Sequence, residues 1–172
     1  MNLKDHIRQI PDFPKPGVNF FDISTLIGHP AAWSSAIDQL ADALKGYKPD
    51  YVAGIDARGF LVAAPLGIAL GCGVLMLRKP GKLPGETVSH PYELEYGTDA
   101  IEIQHDAVKP GDIVVLVDDL LATGGTMAAA ISLLKVSGAT VPAAACLIEL
   151  TFLNGRGKFD IPCHALTAYD SE

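Results

Sequence analysis

The chain has 172 residues, 49% of them apolar and only 19% charged, which suits an α/β domain with a sizeable core. Its formal charge of −7 argues against a nucleic-acid backbone as partner, so any small polyanion must be held by local amides, cations or a metal that outweigh the global field. The three cysteines, Cys72, Cys146 and Cys163, are widely spaced with no CxxC pair, which points to small apolar side chains in a reduced cytosolic setting.

The N-terminus mixes Lys4, Asp5, His6 and Arg8 with few apolar residues, so no signal peptide is expected there. Leu3, Ile7 and Ile10 recur at helical spacing, and Pro11 ends the helix they predict. Asp12 to Ser24, with Pro14, Pro16, Phe13, Phe20 and Phe21, reads as a structured loop. Pro30 opens a second helix, striped by Trp33, Ile37, Leu40 and Leu44. A strand is expected over Tyr51–Asp56. The uncharged stretch Gly59–Leu77 is cut by Pro65 and by glycines 59, 67, 71 and 73, so it reads as core and not as a membrane span. It resolves into a helix over Phe60–Leu70, with Pro65 expected near the first turn, and a buried strand over Val74–Leu77.

Gly81 to Gln104 has glycines, prolines and polar–apolar alternation but no helical period, as a long hairpin or lid would. Ile113–Val117 is a buried strand, Thr126–Ser137 a helix stopped by Gly138, and Val141–Leu150 a further apolar strand. Short apolar strands alternating with helices imply a mostly parallel sheet covered on both faces, with ligands beyond the carboxyl ends of its strands.

The segment that carries chemistry is Val114-Val-Leu-Val-Asp-Asp-Leu-Leu-Ala-Thr-Gly-Gly-Thr126. A buried strand delivers Asp118 and Asp119 to its end, where carboxylates can accept hydrogen bonds from sugar hydroxyls. Thr123, Gly124, Gly125 and Thr126 then open a helix, whose amides can approach a phosphate closely because glycine leaves the space. Read without its context, the segment is a carboxylate cap and a glycine turn. It lacks the lysine of a P-loop, and Gly71-Cys-Gly73 is an incomplete dinucleotide fingerprint. His6, His29, His90, His105 and His164 have no metal-ligand spacing.

In this order of residues the segment resembles the signature of the type I phosphoribosyltransferases, and Leu120–Thr126 is similar to their adenine-using branch. Phe13-Pro-Lys-Pro-Gly17, Asp22-Ile-Ser24, Asp56-Ala-Arg-Gly-Phe60, Arg78-Lys79, Gly81-Lys-Leu-Pro-Gly85, Leu94-Glu-Tyr-Gly97 and Glu102-Ile-Gln104 extend the resemblance over nearly the whole chain.

The resemblance implies one domain over residues 1–172, with a parallel sheet under a small hood (mainly 1–30) and a flexible lid (about 81–104). It implies transfer of a phosphoribosyl group from 5-phosphoribosyl-1-pyrophosphate to adenine, with Mg²⁺ carried in by the substrate, in a cytoplasmic homodimer. Asp118 and Asp119 would hold the ribose hydroxyls, and Ala122, Thr123, Gly124, Gly125 and Thr126 the 5′-phosphate. Arg58 would bind pyrophosphate, beside a strained peptide at 56–57 or 57–58, with Arg78 and Lys82 as further candidates, supplied in cis or across a dimer interface. Glu95 would exchange the base proton and Tyr96 close over the sugar. Asn19, Phe20 and Leu120 would form the adenine pocket. Phe21 stands where many members carry arginine: if the position contributes its carbonyl to the adenine amine, phenylalanine serves, and if the guanidinium matters, the base specificity differs. The alternatives are transfer to another base, or a ligand sensor without turnover; the Gly81–Gly85 and Leu94–Gly97 runs and the lack of a DNA-binding module or basic face disfavour them.

Overall fold

A computed structural model describes residues 1–94 and 97–171. Glu95 and Tyr96 therefore lie outside the described residues. Five parallel strands form the central sheet in the order β4-β3-β7-β8-β9: β3 is Tyr51–Ile55, β4 Gly73–Leu77, β7 Val114–Leu121, β8 Ala144–Leu150 and β9 Cys163–Tyr169. Successive side chains of β7 serve opposite layers. Val115 and Val117 pack with α2 (Pro30–Leu44) and α3 (Arg58–Leu70), while Val114 and Leu116 pack with α4 (Gly125–Val136). A strand with two apolar faces must be central and covered on both, as its unbroken apolar run predicts. This is the mostly parallel sheet, covered on both faces, that the sequence predicts.

The N-terminal expectation of a helix over Leu3–Ile10 is not met. Leu3–His6 is a single tight turn, and β1 (Arg8–Ile10) pairs antiparallel with β2 (Phe20–Asp22). Leu3 and Ile7 still share one core cluster, together with Phe21, Ile23 and Leu26, so the apolar spacing was real but the backbone differs. The Arg8 guanidinium on Asp22, at 2.5 Å and 3.1 Å, draws this segment into a ladder. The short α1 (Ser24–Ile27) then leads into α2.

Two further expectations change around α3. Pro65 lies in mid-helix, and the carbonyl it leaves without a donor belongs to Leu61, on the solvent side. β4 is an edge strand and not a buried one: Val74 and Met76 stay exposed because only β3 pairs with it. α3 also starts two residues earlier than its apolar pattern, which puts Arg58 at its first position.

The Gly81–Gln104 region is a hairpin, with β5 (Thr87–Glu93) antiparallel to β6 (Thr98–Gln104). Ile101 and Ile103 are buried in the cluster that holds Met127, Ile131 and Leu134 of α4, so its base is anchored on that helix.

Candidate active site

The site is built where β3 and β7, paired from Tyr51↔Val114 to Gly54↔Val117, end at the same edge of the sheet. After β3 the chain turns through Asp56 and Ala57, joined by a cis peptide at the first of the two bonds the resemblance had singled out, into the first turn of α3. The helix comes in close because Gly59 has no side chain: a Cβ there would stand 3.1 Å from Asp118 Oδ1 and 3.2 Å from the Val117 carbonyl.

β7 runs through both acids to Leu121. Asp119 is buried and accepts a hydrogen bond from Arg58 Nε at 2.5 Å. Arg58 and Asp119, assigned to different parts of a ligand, thus hold one another in this state. Burial opposes the Arg58 charge, but the bond and the charges of Asp119 and Asp118 prevail, and its pKa lies above the ordinary value. Asp118, half-buried, accepts the Asp119 amide at 2.8 Å. Burial first, and then the Asp119 charge, push its carboxyl well above the usual carboxylate range.

Beyond Leu121 the loop turns at Gly124, which takes φ 85° and caps α4. Its glycine is demanded twice, since a Cβ would also lie 2.1 Å from the Gly155 carbonyl oxygen. Gly155 fits as tightly, with a Cβ position 2.5 Å from the Ala122 carbonyl oxygen. The first amides of α4 lack intrahelical partners and face the loop. A cavity of about 90 Å³ lies there, lined by Asp118, Leu120, Ala122, Thr123, Gly124 and Thr126 among others. It shares Asp118 and Thr126 with a second, of about 230 Å³, bounded also by Asp56, Ala57, Arg58, Lys79, Tyr92 and Asp119.

The sequence-derived residues do not all converge. Asp118, Asp119, Leu120, Arg58 and Ala122–Thr126 meet in this cleft. Arg78 borders its rim, its Nε donating to Asp56 Oδ2 at 3.1 Å and its guanidinium 5.6 Å from the Phe60 ring. Lys82 is exposed and lines none of these cavities among the described residues. In the hood, Asn19 donates to Gln9 at 2.9 Å, and Phe20 comes within 5.7 Å of the Arg58 guanidinium. Phe21 is buried with its ring 4.2 Å from that of Tyr169, so only its main chain can face a ligand. Lys79, Tyr92, Asp56, Gly155 and Lys158 border the site without having been singled out. Arg78-Lys79 was a visible basic pair, but the approach of Gly155 and Lys158 is a tertiary contact without a local signal.

A parallel sheet that presents paired acids and a glycine-capped helix start at one edge defines a binder of phosphorylated sugars. The chain belongs to the phosphoribosyl transferase domain family, whose model matches residues 27–159. Within it the chain lies among the adenine phosphoribosyltransferases, with 64% identity over 170 residues to that of Acidiphilium cryptum, covering 99% of each. Two crystal structures extend the likeness. Adenine phosphoribosyltransferase from Thermoanaerobacter pseudethanolicus superposes with TM-score 0.94 at 50% identity, covering 97% of this chain and 98% of that one. The Saccharomyces cerevisiae enzyme, complexed with an imino-altritol bisphosphate and adenine, gives 0.90 at 40% identity, covering 95% and 96%.

Proposed function

We propose that this chain transfers the 5-phosphoribosyl group of 5-phosphoribosyl-1-pyrophosphate to adenine, giving AMP and pyrophosphate. The observation that carries the reading is the meeting of Asp118 and Asp119 with the Gly124-capped start of α4 in one cleft, opposite Arg58. The bond from the anomeric carbon to the pyrophosphate oxygen breaks, and its electron pair leaves with pyrophosphate. A bond from that carbon to N9 of adenine forms, and the N9 proton passes to a base.

The 5′-phosphate is received by the amides of Ala122–Thr126 and the ribose hydroxyls by Asp118 and Asp119. A carboxyl resistant to ionisation, as Asp118 is, can donate as well as accept a hydrogen bond. Arg58 and Asp119 change partners on binding: a hydroxyl replaces the guanidinium on Asp119, and pyrophosphate replaces the carboxylate on Arg58. Each group keeps a hydrogen-bond partner, and a bidentate cation suits the departing diphosphate. Mg²⁺ carried by the substrate would supply charge neutralisation at pyrophosphate, and the Asp56 carboxylate borders the cavity that would receive it. Arg78 is a second cation for this end.

Glu95 takes the base proton, and Tyr96 closes over the sugar as the lid, about 81–104, folds down. Asn19 and Phe20 from the hood (1–30), with Leu120 from the loop, receive the purine. The Phe21 main chain reads the adenine amine, which reconciles a phenylalanine there with adenine specificity, because its ring belongs to the core. Ile68, 84% exposed on α3, with Leu61, Val74 and Met76, forms an apolar face beside the unpaired edge of β4, suited to a second copy in a homodimer. Lys82 then serves the partner's cleft. Three free cysteines fit a reducing cytoplasm.

A panel of radiolabelled adenine, hypoxanthine, guanine, xanthine and orotate with the pyrophosphorylated sugar tests the assignment. Adenine is expected to give AMP, with the others far slower. Preference for another base, or no turnover with any, would overturn it.

A further inference from the structure

The turn after β8 is built into the wall of the phosphate loop. Gly155 is buried against it, its carbonyl oxygen occupying the space a Gly124 side chain would need. Arg156 pins the turn from behind, donating from Nε and Nη2 to the Glu149 carboxylate at 2.7 Å and 2.6 Å and from Nη1 to the Cys163 carbonyl. Glu149 is buried at the end of β8 and paired in register with Leu121, the last residue of β7, so this clamp ties the turn to the strand that carries the acids. Lys158 closes the turn. Its Nζ lies 4.0 Å from where a Gly125 Cβ would stand, and it borders an opening of about 460 Å³ with Thr123, Gly125 and Thr126. Among the described residues, Glu93 of the hairpin lines the same opening.

We propose that Lys158 is a binding residue for the phosphate monoester held by the Ala122–Thr126 loop; this rests on the function proposed above. A phosphate monoester brings nearly two negative charges, and a helix start offers about half of one positive charge in return. The Asp119 carboxylate, which borders the adjoining cavity, repels the dianion. A full cation on the far side of the loop redresses that balance. Lysine suits the position because its flexible stem carries a point charge to whichever oxygen the amides leave open. Pyrophosphate, at the Arg58 end, gains nothing from it.

Calorimetric binding of ribose 5-phosphate and, separately, of pyrophosphate to wild type, Lys158→Gln and Lys158→Arg tests the assignment. Lys158→Gln is expected to weaken ribose 5-phosphate about tenfold, a charge-assisted bond discounted for exposure. Lys158→Arg should recover most of the loss, and pyrophosphate affinity should stay unchanged. In turnover, KM for the pyrophosphorylated sugar should rise by about the same tenfold while kcat holds within about a factor of two. Equal ribose 5-phosphate affinity in wild type and Lys158→Gln, or equal losses for both ligands, would overturn the role of Lys158 and leave the enzyme reading intact. Failure of wild type itself to bind ribose 5-phosphate would overturn that reading and this one together.

Discussion

Replacing Gly124 by alanine tests whether the loop's shape is set by its contact with the turn at Gly155. At φ 85° a residue with a Cβ is strained, by about 1–2 kcal/mol. The new Cβ would stand 2.1 Å from the Gly155 carbonyl oxygen, where ordinary contact begins at 3.4 Å, and the obstacle is backbone and cannot rotate away. Overpacking of that kind adds about 1–3 kcal/mol, for a total of roughly 2–5 kcal/mol. For a domain of this size thermal unfolding should fall by roughly 5–15 °C. Gly125→Ala is the control: its nearest neighbour is Lys158 Nζ at 4.0 Å and its φ carries no penalty, so it should unfold within a degree or two of wild type. Calorimetry measures both, and KM for the pyrophosphorylated sugar should rise about tenfold or more in Gly124→Ala. If the two variants unfold together, or if Gly124→Ala keeps wild-type stability and KM, the interlock does not shape the loop.

Asp118→Asn removes a charge the fold resists. With its folded pKa raised, Asp118 contributes full stability below its unfolded value of about 3.9, and that stability is lost as pH climbs through the raised value. The asparagine variant should therefore match wild type near pH 4, melt a few degrees higher at pH 8 and bind ribose 5-phosphate more weakly; no gain at pH 8 would contradict this. Glu95→Gln keeps size and hydrogen bonding but loses the titratable proton, so turnover should fall about 10²–10⁴-fold with sugar binding nearly unchanged. Near-normal turnover would remove Glu95 from the chemistry. Ile68→Asp places a charge on the apolar face of α3 and β4 and should give a monomer at micromolar concentration by sedimentation, whereas an unaltered dimer would place the interface elsewhere.

Much of the scaffold was legible because its signals are local. The β7 run, the paired acids and the glycines after them declare a strand, its edge and a helix start within one contiguous segment. The hairpin announced itself by alternation. What misled was pattern without partner. Leu3, Ile7 and Ile10 satisfy a helix and a turn-plus-strand equally well until Asp22 claims Arg8. Val74–Leu77 is apolar enough for a central strand, and only the strand order makes it an edge. The site followed the same division. Asp118, Asp119 and Ala122–Thr126 could be read off one segment, but the Arg58–Asp119 pairing, the Phe21 ring packed against Tyr169 and the Gly155 approach join residues far apart in the chain. Nothing at either end of those contacts marks the other.

A crystal structure of the complex with AMP would show whether one cleft holds the whole phosphoribosyl group. The AMP phosphate is expected within hydrogen-bonding distance of the amides of Thr123–Thr126, with both ribose hydroxyls on Asp118 and Asp119, and Arg58 withdrawn from Asp119. A phosphate bound elsewhere, with the 2.5 Å Arg58–Asp119 contact intact, would contradict it.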